Sequence, residues 1–210
     1  MGARRGFLDA VASERVAPAG GTAAAVTAAT GAALCEMVCV HTIAAADGNT
    51  DAAPAPDGSD LPPVAGGDCD DSSPDGLPEL RGRLRRRRRT LVALGEQDAA
   101  LVDDLFGTDE EPSTRLQRRA AGIPLAVAEA SLGVLTDAGR ASRRGRSGVA
   151  ADAKTGAYLA DAAIRASLET VRINTAALQD QSFVATLETR AADIEETAAG
   201  VRMRLFDGDR

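Results

Sequence analysis

A chain of 210 residues is long enough for one domain with a real core, but aromatics are 2% of it and Trp is absent. Such a core must be built from small side chains and close backbone approach, which suits helices packed against helices. The formal charge of −7 and a pI near 4.8 argue against general nucleic-acid binding, and a single lysine, Lys154, among 24 basic residues fits a salty cytoplasm or a GC-rich genome.

The spacing of Phe7, Leu8 and Val11 predicts a short first helix over 4–14. Asp9 and Glu14 interrupt these apolar residues, so no signal peptide is expected. Pro18-Ala19-Gly20-Gly21-Thr22 then breaks the chain and ends in a residue suited to cap a helix. The second helix is expected over 22–46. Its small residues recur every fourth position, as Ala24, Ala28, Ala32 and as Thr27, Gly31, Cys35, Cys39. A helix with no bulky side belongs at the centre of a bundle or across a dimer interface. It is also the membrane candidate of the chain, but Ala, Thr and Gly dominate it and it carries Glu36 and His41, so no membrane span is expected.

Over 47–78 the chain becomes rich in Asp, Pro and Gly and has no basic residue. Such a segment buries too little apolar area to offset its ordering entropy, and a disordered acidic insertion is expected. A third helix over 79–106 carries the stripe Leu80, Leu84, Arg87, Leu91, Leu94, Asp98, Leu101, Leu105. A fourth, over 113–143, contains Pro124, which should kink it. A fifth, over 149–174, is apolar on most sides, and a sixth spans 182–205. The fold class is therefore all-α, an antiparallel multi-helix bundle in one domain over 1–210.

Asp98 is the first candidate for chemistry. A carboxylate within a leucine stripe costs several kcal/mol to desolvate unless it is paired. Two readings stand: a buried ion pair with an arginine such as Arg172, or a functional carboxylate. Asp152, in the first turn of the fifth helix, reads either as a dipole-compensating residue or as part of a site. Gly20-Gly21-Thr22 reads either as a tight turn allowing close packing or as N–H groups that receive a polar ligand atom. His41 has no metal-ligand spacing around it, and no metal is expected. The run 85–89 of arginines has no aromatics for base stacking and reads as a solvated basic face toward the acidic insertion. Cys35, Cys39 and Cys69, an odd number without framework spacing, fit reduced thiols of a cytoplasmic protein.

In order and spacing these segments resemble a known family. Phe7-Leu8-Asp9 with Pro18-Ala19-Gly20-Gly21-Thr22 is similar to its opening. Gly31-Ala32-Ala33-Leu34, Met37-Val38 and Thr42 are similar to its next helix, and Asp98 to an Asp in the helix after that. Ile123-Pro124-Leu125, Asp152 and Val171-Arg172-Ile173-Asn174 are similar to its later helices. The family is that of methenyltetrahydrofolate cyclohydrolases and formiminotetrahydrofolate cyclodeaminases. The resemblance implies a homodimer, a one-carbon folate as substrate, no further cofactor, and no nucleic-acid or membrane partner. It implies Asp98 and Asp152 as catalytic carboxylates, and Gly20, Gly21, Thr22, Arg172 and Asn174 as substrate-binding residues. No formiminotransferase segment accompanies the helices, which puts the cyclohydrolase first and the cyclodeaminase second. The chain departs from the family pattern at Ala19, Gly148 and Ala151, which leaves a non-catalytic helical dimer as the rival reading.

Overall fold

A computed structural model describes residues 2–47, 76–106 and 111–207. The expected acidic insertion over 47–78 lies almost wholly outside them. The described residues form six helices and no strand: α1 (Gly2–Val11), α2 (Gly20–Ala46), α3 (Leu77–Phe106), α4 (Thr114–Arg144), α5 (Ala150–Thr175) and α6 (Gln181–Arg202). A short π-helical turn, Met203–Asp207, follows α6.

Helix α2 stands at the centre and packs on α3, α5 and α4. Its small residues let neighbouring backbones come close. A Cβ on Gly31 would lie 2.6 Å from the Gly156 carbonyl oxygen, and one on Gly156 would lie 2.7 Å from the Gly31 carbonyl oxygen. Of the two placements expected for the line through Gly31, the centre of the bundle is the observed one. Gly31 faces α5 of its own chain.

Contacts along α2 fix the direction of its neighbours. Thr22 meets Asp98 and Glu36 meets Arg88, so α3 runs antiparallel to α2. Gly31 meets Gly156 and Cys35 meets Ala153, so α5 also runs antiparallel to α2. On α3 the leucine stripe points inward: Leu80, Leu84, Leu91 and Leu101 are buried, at about 1.5–3 kcal/mol each. Helix α4 continues through Pro124, which is buried. Its cap is Ser113, whose Oγ accepts a hydrogen bond from the Leu116 N–H at 3.4 Å.

Three expectations are corrected here. Helix α2 begins at Gly20 with Ala19 in the capping position, so Thr22 lies inside the first turn and caps nothing. Its hydroxyl turns instead toward α3. Helix α5, expected to be apolar on most sides, has a broader exposed side than that, with Lys154, Tyr158 and Arg165 on it. Finally, α2 is not the only helix long and apolar enough to cross a bilayer, since α4 qualifies too. About half of each apolar window, 50% and 56%, is buried in the bundle, as in the core helices of soluble proteins.

The two described thiols are buried on α2, Cys35 against α5, where its Sγ lies 3.8 Å from the Ala153 carbonyl. Burial, then the neighbouring Cys39 and Asp137, push Cys35 up to about 12. Burial and Asp137 push Cys39 up to about 11. Both are raised above the ordinary value of 9.0, so the folded chain holds these protons longer than the unfolded one. Their contribution to stability is complete below pH 9.0 and is lost as pH rises through about 11 to 12. Thiolate is the reactive form, so a Cys69→Ser variant should not be labelled by a disulfide reagent within minutes at pH 8, and should be labelled at once in denaturant. Rapid labelling of two thiols in the native protein would contradict this burial.

Candidate active site

At one end of α2 the structure brings together three of the residues singled out by sequence. Asp98 is 7% exposed, and its Oδ2 accepts a hydrogen bond from Thr22 Oγ1 at 2.7 Å. Gly21 presses its backbone against the same carboxylate, for a Cβ there would lie 2.4 Å from Asp98 Oδ1. Gly95, one turn before Asp98, lets α3 approach Ala25 closely enough for this. The carboxylate therefore sits at the N-terminal end of α2, where the helix dipole favours negative charge. The ion-pair reading of Asp98 is corrected here. Among the described residues its partner is a hydroxyl and a helix end, not an arginine.

Arg172, the arginine offered as that partner, is bound elsewhere. It bridges Glu169 at 3.2 Å and Glu195 at 2.7 Å and is half exposed. Asn174 donates through Nδ2 to the Ala120 carbonyl at 2.6 Å, which ties α5 to α4. Gly20 is the exposed first residue of α2. None of these contacts reaches Asp98.

Asp152 is also apart from Asp98. It is half-buried in the first turn of α5, beside Ala153, whose carbonyl lies 3.8 Å from Cys35 Sγ. Cys35 is fourteen residues along α2 from Gly21, so the two aspartates of one chain are separated by roughly 20 Å at 1.5 Å per residue.

A cavity of about 610 Å³ opens at the Asp98 end of the bundle. Leu94 and Gln97, one turn and one residue before Asp98, line its α3 side, with Arg115, Arg118, Ile123 and Phe183 opposite. Arg118 is held in place by an ion pair with Asp180 and lies 5.4 Å over the Phe183 ring. Asp180 also caps α6 by accepting from the Phe183 N–H at 3.1 Å, and this bond first, then Arg118, holds its carboxyl below the usual range. Sequence reasoning missed these wall residues because they come from three helices with no shared spacing. It also missed Ser167, which is 1% exposed and whose Oγ has no hydrogen-bond partner among the described residues.

Asp137 was missed as well, although a signal existed. Like Asp98 it stands in a buried run, between Val134-Leu135 and Ala138-Gly139. It is 1% exposed and answers the other polar interruption of the α3 stripe, since Arg87 Nε donates to its Oδ2 at 2.9 Å. Arg88 Nε likewise donates to Glu36 at 2.9 Å. The run 85–89 is therefore not a wholly solvated face, as two of its members are tied to acids of the bundle. No group of three or more His, Cys, Asp or Glu placed to hold a metal occurs among the described residues.

The family description "formiminotransferase-cyclodeaminase" matches residues 4–55 and 72–193, a stretch that includes Gly21, Thr22, Asp98 and Asp152. The chain belongs to this family. The match passes over 56–71, inside the acidic insertion. A methenyltetrahydrofolate cyclohydrolase of Methylorubrum extorquens is 30% identical over 202 residues, covering 90% of this chain and 85% of that protein. The crystal structure of a formiminotetrahydrofolate cyclodeaminase from Thermotoga maritima superposes with a TM-score of 0.75 at 19% identity, covering 96% of this chain and 94% of the other. The all-helical bundle is thus the fold of the cyclodeaminase family.

Proposed function

We propose that this member of the cyclodeaminase family is a methenyltetrahydrofolate cyclohydrolase, with Asp98 as its acid–base residue. The observation that carries the proposal is the buried Asp98 carboxylate between Thr22 Oγ1 and the Gly21 backbone, beside an open cavity. The substrate is a cationic amidinium carbon between two nitrogens. A carboxylate beside it offsets that charge and can move a proton. Water adds its oxygen to the carbon and gives one proton to Asp98, which leaves a neutral tetrahedral carbon. One carbon–nitrogen bond then breaks, the nitrogen takes the proton from Asp98, and the hydroxyl proton leaves to solvent. The products are formyltetrahydrofolate and one proton.

Thr22 orients the carboxylate, and Gly21 gives it room at the α2 terminus. The apolar wall of Leu94, Ile123 and Phe183 suits a flat ring system, and Arg115 and Arg118 suit the carboxylates of the same molecule. A cyclodeaminase passes through a similar tetrahedral carbon and releases ammonia, so the same site serves that reading. We further infer a homodimer in the cytoplasm. Leu8, 64% exposed, together with Val11 and Val16, leaves apolar surface near the N-terminus that a second copy would cover.

The test is the loss of methenyltetrahydrofolate absorbance with purified full-length protein at high salt, set beside ammonia release from formiminotetrahydrofolate. Saturable loss of the first without the second is expected. Ammonia release alone would make the chain a cyclodeaminase, and no turnover of either folate would leave a helical scaffold of the same family.

A further inference from the structure

The opposite end of the α3–α4 face carries a different kind of site. Arg83 Nε, Arg87 Nε and Arg140 Nη1 all donate to the buried Asp137, at 3.3, 2.9 and 3.5 Å. Beside them is a cavity of about 320 Å³, lined by Arg83, Arg86, Arg87, Thr90 and Ala130. Arg86 has no ion pair among the described residues and reaches toward solvent. The charge of Arg86 stands out in a protein whose net charge is −7.

One of these guanidinium groups, that of Arg87, is also fixed in advance. Arg87 is anchored by Asp137 and lies against Gly133, where a Cβ would fall 1.7 Å from its Nη1. A group already held in one place loses little entropy on binding a ligand. The planar fork of Arg matches the oxygens of carboxylate and phosphate, Thr90 adds a hydroxyl, and Ala130 leaves the opposite wall small.

We propose that this cavity is a second, separate site that binds an oxyanion group, phosphate or carboxylate, through Arg86, Arg87 and Thr90. It is apart from Asp98. The lining residues Arg83, Arg86, Arg87 and Thr90 stand fifteen, twelve, eleven and eight residues before Asp98 on α3, roughly 12 to 22 Å at 1.5 Å per residue. Charge compensation of Asp137 alone needs neither Arg86 nor an open cavity beside it.

Calorimetric titration of the full chain with inorganic phosphate, and separately with the tricarboxylate tricarballylate, at constant ionic strength tests this. Saturable binding of one anion per chain is expected, and the tighter of the two identifies the source of the oxyanion. Arg86→Ala should weaken that binding about tenfold or more, the loss of one charge-assisted contact. Arg85→Ala removes the same charge from an exposed position outside the cavity and should change it less than about twofold. Asp98→Asn should bind as wild type, which keeps this site distinct from the proposed catalytic one. Failure of both anions to saturate, equal weakening by the two arginine variants, or an Arg86→Ala variant that binds normally would each overturn the proposal.

Discussion

Asp98→Asn is expected to keep the helical circular dichroism of the wild type and to lower turnover of methenyltetrahydrofolate about a hundredfold or more, the usual scale for a positioned acid–base group. Asparagine has nearly the volume of aspartate, and its carbonyl can still accept from Thr22 Oγ1, so the α2–α3 contact should survive. What it cannot do is hold a proton between two steps or offset a cationic carbon. A purely structural carboxylate would give the reverse pattern, a lower melting temperature with turnover intact. Normal turnover in a folded Asp98→Asn protein therefore removes Asp98 from the mechanism.

Asp152→Asn separates two further cases. If Asp152 only compensates the α5 dipole, its loss costs about 0.3–1 kcal/mol and turnover is unchanged. If it shares the reaction, it must reach the site from a second copy, because within one chain it is roughly 20 Å from Asp98 along α2. In that case each Asn variant is inactive alone, and mixing the two chains restores part of the activity.

Gly31→Leu is expected to abolish the cooperative melting transition or to lower its midpoint strongly. The obstacle is backbone, since even a Cβ at Gly31 would lie 2.6 Å from the Gly156 carbonyl oxygen. A carbonyl within α5 cannot swing aside as a long side chain can. The helices must separate along their whole contact, at or above the upper part of the roughly 1–3 kcal/mol typical of overpacking. Gly156→Leu should behave alike, because the clash is reciprocal. The effect should appear in the stability of the chain, before any change of assembly on size exclusion. A wild-type melting curve for either variant would mean that α2 and α5 do not approach as closely as described.

Much of the architecture was legible without coordinates. Helical spacing marks all six elements, because burial of one side at a period of 3.6 leaves a trace in any amphipathic helix. The inward leucines of α3 and the small-residue line of α2 follow from it, and so does the anomaly of Asp98, since a charge inside an apolar stripe is visible in one dimension. Helix ends were less legible. Thr22 reads as a cap by composition, yet in the folded chain its hydroxyl has a carboxylate 76 positions away, a partner that outcompetes its own backbone.

What only the tertiary structure decided is which side chains meet. Pairing across helices depends on their direction, register and rotation, and none of these is coded by the spacing within a single helix. Sequence could ask whether Asp98 was paired with Arg172; packing gave Asp98 to Thr22 and Gly21, and Arg172 to Glu169 and Glu195. It also brought Arg83, Arg87 and Arg140 onto Asp137 from two helices. The sequence by itself determined the helices, their buried faces and the oddity of a buried aspartate. The close approach of backbones at Gly21, Gly31 and Gly156 determined the neighbours, because interhelical distance is a property of two chain segments at once.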